Sequence, residues 1–242
     1  MARSLMQSND AFSGEKHKHI QARDLIADSA LGLSDGLITN LSFLTGFSGA
    51  ISSIGLIRVA GIAAMLAGSV SMFFGGLLAT RSQIDLYHAD AKREGYELAH
   101  EPEEERRELK NFYLEKGLTE AEAKTVVDRV TSNKEKWLED MLIHELHLHR
   151  SELGNPYKKG AVISLSFLVG ALVPLLPYLL LTLKDYPLLV SLSTSLLFLF
   201  AVGAWKGRIV GKSSWRSGIE MLSVGVAGSI ILYLIGVALV FA

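Results

Sequence analysis

The chain has 242 residues, of which 49% are hydrophobic and 20% are charged. It contains no cysteine, which excludes disulfides, iron–sulfur clusters and thiolate metal sites. The net charge of -1 hides an asymmetry, because residues 89–153 hold 17 of the 25 acidic residues and 11 of the 24 basic ones, a net charge of -6. The remaining residues carry +5, which is typical of a membrane body with basic flanks.

The polar first 23 residues contain no apolar stretch that resembles a cleaved signal peptide. Four later stretches can each cross a hydrocarbon core of about 30 Å, which takes about 20 residues. They are residues 59–80, 160–183, 186–205 and 221–242. A fifth span is predicted over residues 25–46 although it contains Asp28 and Asp35, since the glycines and serines between Gly46 and Ser53 suit a loop.

Basic residues indicate how these spans are oriented. Lysine and arginine concentrate in the N-terminal segment, in the flanks of the acidic stretch and in residues 206–216, whereas the opposite side has only Arg58 and Lys184. The positive-inside rule then places the N-terminus and the acidic stretch in the cytoplasm. The predicted fold class is an all-α membrane protein of five transmembrane helices with a cytoplasmic helical insert between the second and third. Its segments are a tail at 1–23, helices 1 and 2 at 24–82, the insert at 83–156 and helices 3 to 5 at 157–242.

Small residues predict close helix packing, and with it close contacts within the chain or a homo-oligomer. The pattern consists of the pair Gly32 and Gly36, and of two sets spaced seven apart: Gly61, Gly68 and Gly75, then Gly218 and Gly225. Pro174 and Pro177 are expected to kink the third span, which membrane helices tolerate where neighbours satisfy the freed carbonyls.

A carboxylate inside a span is costly, about 2.5–3.5 kcal/mol at mid-membrane, so it commonly faces an ion, a partner or a water-filled path. Asp35 is the strongest candidate for an ion path, and Asp28 and Ser42 fall on the same helical stripe. On the second span Met65 and Met72 are also seven residues apart and offer two polarisable thioethers.

The insert is predicted to form three or four short helices. Pro102 suits the first turn of one helix, Gly117 suits its end, and Thr119 with Glu122 forms a capping box for the next. Three spaced pairs on these helices could gather cations between them, although a solvated acidic face would show the same spacing. The pairs are Glu94 and Glu97, Glu105 and Glu108, and Met141 and Glu145.

Two metalloenzyme motifs are incomplete in this insert. A zinc-protease helix would need a histidine at position 148, which is Leu148, although His144, His147 and His149 are close by. Glu97 and His100 match half of a di-iron motif, but the insert is too short for a four-helix site. We therefore expect no enzyme activity.

The chain resembles the vacuolar iron transporter family over nearly its whole length after the N-terminal tail. The resemblance rests on the order of Gly32-Leu-Ser-Asp35-Gly36, Ala67-Gly-Ser-Val-Ser-Met72, the three pairs of the insert, and Val173-Pro-Leu-Leu-Pro-Tyr178. It implies a homodimer of five-span subunits with an ion path at the dimer interface, lined by Asp35 and Met72. It also implies that the insert collects ferrous ions on Glu94, Glu97, Glu105, Glu108, Met141 and Glu145. Two positions depart from better-known members: Ala64 replaces a carboxylate, and Leu142 replaces a second methionine.

The leading hypothesis is export of ferrous iron from the cytoplasm by proton exchange, for storage or detoxification. Manganese is an alternative substrate, and a metal-responsive membrane sensor that transports nothing is an alternative function. The expected partners are membrane lipid, divalent metal ions, protons and a second copy of the chain. We expect no prosthetic group and no nucleic-acid partner. The expected location is a vacuolar membrane in a eukaryote, or an inner or plasma membrane in a prokaryote.

Overall fold

The computed structural model describes residues 2–144, 154–180 and 186–241, with side chains given between residues 25 and 240 of those ranges. These residues form helices and contain no strand, which confirms the predicted all-α class. The helices are α1 Ala2–Ala50, α2 Ile54–His100, α3 Pro102–Glu115, α4 Glu120–Val130, α5 Lys134–His144, α6 Pro156–Leu179, α7 Pro187–Ile209 and α8 Ser214–Phe241.

The chain divides into two compact units. The first unit comprises Met1–Leu78 and Pro156–Ala242, and the second unit comprises Ala79–Asn155. The boundary falls inside α2, so the second predicted span and the start of the acidic insert share one helix.

Four of the described helices are long and apolar enough to cross a membrane: α2, α6, α7 and α8. The chain is therefore an integral membrane protein with several spans. Helix α1 contains the predicted fifth span but is not among the four. Its apolar residues are diluted by Asp28, Asp35 and Asn40, so its status as a span stays a prediction.

Helix α1 lies at the core of the first unit, where it packs against α6, α7 and α8. Leu37, Leu41 and Leu44 are fully buried. Leu37 and Leu41 pack with residues of α7, and Leu44 packs with residues of α2 and α6. Helix α1, which contains Asp28, Asp35 and Asn40, thus has its central leucines enclosed by other helices of the first unit.

Glycines let the backbones of α1 and α6 approach each other. A Cβ atom on Gly32 would lie 2.2 Å from the carbonyl oxygen of Ile163, and one on Gly36 would lie 2.2 Å from that of Phe167. From the opposite side, a Cβ on Gly170 would lie 2.1 Å from the oxygen of Leu33. The predicted close packing at Gly32 and Gly36 is confirmed.

The predicted loop after the first span is shorter than expected. Helix α1 continues to Ala50, and three residues separate it from α2. Gly46 and Gly49 pack against α8 instead of forming a turn. A Cβ on Gly46 would lie 2.8 Å from the carbonyl oxygen of Leu232, and one on Gly49 would lie 2.9 Å from that of Tyr233. The end of the first helix near Gly46 was therefore predicted wrongly.

Replacing Gly36 with alanine is expected to destabilise the first unit by about 1–3 kcal/mol, because a backbone oxygen cannot move aside without shifting α6. Gly75→Ala is the matched control. A Cβ at position 75 would meet nothing within 4 Å. Because alanine favours a helix more than glycine does, this variant should be as stable as the wild type or more stable. Thermal unfolding of the purified full chain in detergent measures both variants. Equal unfolding temperatures for the two would contradict the packing described for α1 and α6.

Helix α6 continues through both of its prolines from Pro156 to Leu179. Side chains from neighbouring helices donate to its carbonyl oxygens in this region. Asn40 Nδ2 donates to the oxygen of Ala171 at 2.6 Å, and Ser191 Oγ donates to that of Pro174 at 2.7 Å. These bonds tie α1 and α7 to the proline-containing part of α6.

The second unit has its own small core. Leu109, Val127, Trp137 and Met141 from α3, α4 and α5 are buried together, and Leu98 of α2 packs against them. Pro102 is the first residue of α3, and Gly117, with φ of 92°, follows its end. Thr119 caps α4 in a capping box with Glu122. These three predictions from the sequence are confirmed.

Removing the α4 cap should loosen the first turn of that helix. Thr119→Ala is expected to cost about 1 kcal/mol, and hydrogen exchange at the Glu122 amide in the full chain should quicken about fivefold. Thr125→Ala is the control, because that hydroxyl donates only to the Ala121 oxygen within the same helix. Equal exchange rates in the two variants would contradict the cap.

The same cap predicts a pH dependence. Two hydrogen bonds from Thr119 lower the pKa of the Glu122 carboxyl below its usual 4.5. A group with a lowered pKa stabilises the fold above its ordinary pKa and loses this contribution as pH falls through the lowered value. Protection at the Glu122 amide should therefore decline below about pH 4.5 in the wild type and show a weaker decline in Thr119→Ala.

Candidate functional site

Asp35 lies on α1, beside the closest approach of α1 to α6. Its side chain is partly buried, and Thr39 Oγ1, one turn later, donates a hydrogen bond of 3.4 Å to Asp35 Oδ1. Thr39 is exposed, so the two residues share a partly open side of the helix. Ser42 lies instead against α8, where a Cβ on Gly228 would be 2.8 Å from its hydroxyl. Asp35 thus combines a carboxylate with access from outside the bundle.

Asp28 has a basic partner on another helix. Its Oδ1 lies 3.8 Å from Lys159 Nζ, in the first turn of α6, and its side chain is largely buried. This ion pair ties the two helices together and gives Asp28 a structural role. Its place on an ion path stays a prediction.

The two methionines of α2 have different surroundings. Met65 packs against the buried cluster that contains Leu44, Leu175 and Tyr178, so it contributes to packing between helices. Met72 is partly buried and lies one turn after Gly68, whose Cα hydrogens face the Phe167 ring. Its thioether therefore stays a candidate ligand.

Asn40 was missed at the sequence level. It is 1% exposed, its Nδ2 binds the Ala171 oxygen, and its Oδ1 accepts no hydrogen bond from any residue in the described part of the chain. A buried amide is costly unless it is bonded, and the one hydrogen bond described for Asn40 joins α1 to α6. The sequence does contain a signal, since Asn40 is an amide within a predicted membrane span.

Three glutamates converge in the second unit. One carboxylate oxygen from each of Glu94, Glu97 and Glu105 lies within 4.8 Å of the others, and this set is called the carboxylate cluster below. Glu94 is fully buried and Glu105 is 6% exposed. Glu97 is partly exposed, and its Oε1 lies 3.9 Å from Arg93 Nε on the same helix.

Local structure explains this convergence. Glu94 and Glu97 are three residues apart and so share one face of α2. The helix break at Glu101 and Pro102 starts α3, which brings Glu105 back to that face. Leu98 and Leu109, each one turn beyond a cluster glutamate, pack in the same core. The cluster is thus set beside the apolar core of the unit.

The geometry suits a divalent cation. Ligand oxygens on opposite sides of such an ion are about 4–5 Å apart, because each metal–oxygen distance is about 2.0–2.5 Å. Like charges held this close repel, and a cation or protons between them would remove that repulsion. Carboxylate oxygens suit magnesium, calcium, manganese and ferrous ions.

The other predicted ligands of the insert do not join the cluster in the same way. Glu108 is exposed and lies outside it. Met141 is 3% exposed and packs with Leu109, Val127 and Trp137 in the core. Glu145, like His147 and His149, lies outside the described residues.

His144 has a carboxylate partner in the second unit. Its Nε2 lies 3.2 Å from Asp140 Oδ1, and its ring packs on Phe112 with centroids 3.8 Å apart. Asp140 also accepts a 2.7 Å hydrogen bond from the Tyr113 hydroxyl. Burial, and then Asp140 itself, raise the pKa of the Tyr113 phenol. These contacts give His144 a carboxylate partner on α5 and an aromatic partner on α3.

The chain is similar to known proteins over most of its length. The VIT family matches residues 26–237. The chain is 34% identical to vacuolar iron transporter 2 of Oryza sativa subsp. japonica, over 88% of this chain and 86% of that protein. It is 33% identical to vacuolar iron transporter 1 of Tulipa gesneriana, over 93% and 92% of the two chains. It is 32% identical to vacuolar iron transporter 1 of Arabidopsis thaliana, over 88% and 85%.

The matched range contains α2, α6, α7, most of α8 and the second unit, and it includes Asp35 and the carboxylate cluster. The relatives are named as transporters, and the apolar helices place the chain in a membrane. The chain therefore belongs to the VIT family of vacuolar iron transporters, a family of metal transporters and not of enzymes.

Proposed function

We propose that this protein exports ferrous iron from the cytoplasm across a membrane, in exchange for protons. The observation that carries the proposal is Asp35, a partly accessible carboxylate on the central helix of a membrane unit. A protein that only sensed metal would have no need of a carboxylate at that place. Three relatives described above carry iron transport in their names, which supports the choice of iron.

In this account the two units have separate tasks. The carboxylate cluster captures cations from the cytoplasm, with Glu108 and Glu145 as further ligands, while Met141 packs in the apolar core of the unit. Asp35 and Met72 then replace part of the hydration shell of the ion during passage, with Asp28 and Met65 along the same path. A hard oxygen combined with a soft sulfur suits a borderline ion such as ferrous iron. Protonation of the path carboxylate on the acidic side releases the ion.

This mechanism uses the topology proposed from the sequence. Five spans, including residues 25–46, place the N-terminus and residues 83–156 in the cytoplasm and the C-terminus on the other side. Two copies form a homodimer with the path between their first spans. The membrane is that of a vacuole in a eukaryote, as the names of the relatives suggest, or an inner or plasma membrane in a prokaryote.

Manganese is a second candidate substrate, because the carboxylate cluster can accommodate it as well as ferrous iron. The cluster offers only oxygen, and Met141 is buried in the apolar core. Oxygen-only sites discriminate weakly between manganese and ferrous ions, so availability would decide which ion is carried.

Metal uptake into proteoliposomes tests this function. The purified full chain is reconstituted, ferrous or manganese ions are added outside, and a trapped fluorescent chelator reports entry. We expect ferrous entry above that of protein-free vesicles, with a faster rate when the compartment receiving the metal is acidic. A rate unchanged by the pH gradient would refute proton exchange. Faster entry of manganese than of ferrous iron at equal concentration would make manganese the substrate.

A further inference from the structure

The first unit contains a cavity of about 280 Å³ that no part of the transport proposal uses. It is bounded by the end of α7, the start of α8 and one residue of α1. Its lining includes Ile38, Lys206, Lys212, Ser217, Glu220 and Met221. The lining is therefore a mixture of apolar side chains, a hydroxyl and charged groups, with two cations and one anion.

The cations of this cavity have no acidic partner among the described residues. Neither Lys206 nor Lys212 forms an ion pair there, and Glu220 forms none either. Arg208 and Arg216 add two more exposed cations to the same segment without lining the cavity. The segment therefore has a positive charge that an anion from outside the chain can balance.

The cavity lies where two apolar helices end. Helix α7 ends at Ile209 and α8 begins at Ser214, so the cavity is at the boundary of two spans. Trp205, next to Lys206 in the sequence, and Trp215, in the first turn of α8, are 44% and 67% exposed. Tryptophan is enriched at the level of lipid head groups, and Ile209 and Val210 are exposed at this same end. The anions present at that depth are lipid phosphates.

We propose that this cavity binds the head group of an anionic phospholipid, with its phosphate on Lys206 and Lys212. Basic pockets between membrane helices are suited to such head groups, and each lysine that contacts the phosphate is expected to strengthen binding about fivefold. Glu220 opposes the bound charge and so limits affinity. The positive-inside rule places the site in the cytoplasmic leaflet.

A lipid in this cavity touches the helix that carries Asp35, because Ile38 is on α1 one turn later. The proposal does not depend on transport, since it concerns binding of lipid to the first unit. Its test can therefore succeed or fail whether or not the protein moves iron.

Lipid binding is measured on the purified full chain in detergent. Dioleoyl phosphatidylglycerol, dioleoyl phosphatidylcholine or inorganic phosphate is titrated, with native mass spectrometry counting bound lipid and thermal unfolding reporting stabilisation. The test variant is Lys206→Gln with Lys212→Gln. The matched control is Arg208→Gln with Arg216→Gln, which removes the same charge from the same segment. Both pairs are exposed, so folding should survive, and gel filtration checks it.

We expect phosphatidylglycerol to bind the wild type and the arginine control more tightly than phosphatidylcholine does. The lysine double variant should bind it about thirtyfold more weakly, and Glu220→Gln should bind it more tightly than the wild type. Equal weakening by the lysine and arginine pairs would overturn the proposal, because it would show only diffuse attraction. Equal stabilisation by inorganic phosphate alone, or no preference for phosphatidylglycerol, would overturn it as well.

Discussion

Asp35→Asn should slow metal transport at least tenfold while leaving the protein folded and its second unit able to bind metal. The substitution keeps the shape and the hydrogen bond from Thr39 but removes the negative charge. At about 4 Å, a unit charge attracts another by about 4 kcal/mol at an effective dielectric constant of about 20, and a divalent ion feels more. Losing even a third of this would slow passage about tenfold, so we expect a reduction of at least tenfold in the initial rate.

The control for Asp35 is its neighbour Ser34. The Ser34 hydroxyl donates to the Ala30 carbonyl oxygen within α1, so Ser34→Ala removes a polar group from the same turn without changing charge. Its transport rate should match that of the wild type. A transport rate for Asp35→Asn within twofold of that for Ser34→Ala would exclude Asp35 from the path.

Glu105→Gln and Glu94→Gln should each weaken metal binding at least tenfold, which corresponds to about 1.4 kcal/mol. Each variant removes one of the three charges of the carboxylate cluster. Without metal, the same variants should unfold at a higher temperature than the wild type, because repulsion between close carboxylates falls. Ferrous or manganese ions at about 100 times the dissociation constant should stabilise the wild type by about 2.7 kcal/mol and stabilise both variants much less.

Glu103→Gln is the matched control for Glu105→Gln. Both residues are in the first turn of α3, but Glu103 is exposed and lies outside the carboxylate cluster. It should keep the affinity and the metal-dependent stabilisation of the wild type. The cluster would lose its assigned role if Glu103→Gln and Glu105→Gln weakened binding equally, or if the apo variants were both less stable than the wild type.

Local patterns in the sequence predicted those features that depend on neighbouring residues. Glu94 and Glu97 share a face because a helix repeats every 3.6 residues, and Thr119 caps α4 because a hydroxyl followed by Glu122 suits that end. Gly32 and Gly36 pack as expected because only a missing Cβ allows such close backbones.

Features that depend on distant segments could not be predicted in this way. Asn40 meets Ala171 across 131 positions of sequence, and Gly46 packs against α8, so its role in a loop was wrongly predicted. Gly75 follows the spacing of Gly61 and Gly68 but has open space around it in the described chain. Burial of Met141 follows from three helices packing together, which the spacing of the Met141 and Glu145 pair does not reveal.

The most direct test of the account measures ferrous iron entry and metal binding on the same reconstituted samples of wild type and Asp35→Asn. We expect the wild type to accumulate iron above protein-free vesicles, and Asp35→Asn to bind metal with the same affinity but to accumulate at least tenfold less. Wild-type protein that binds metal yet moves none, or Asp35→Asn that transports at the wild-type rate, would contradict capture by the second unit followed by passage past Asp35.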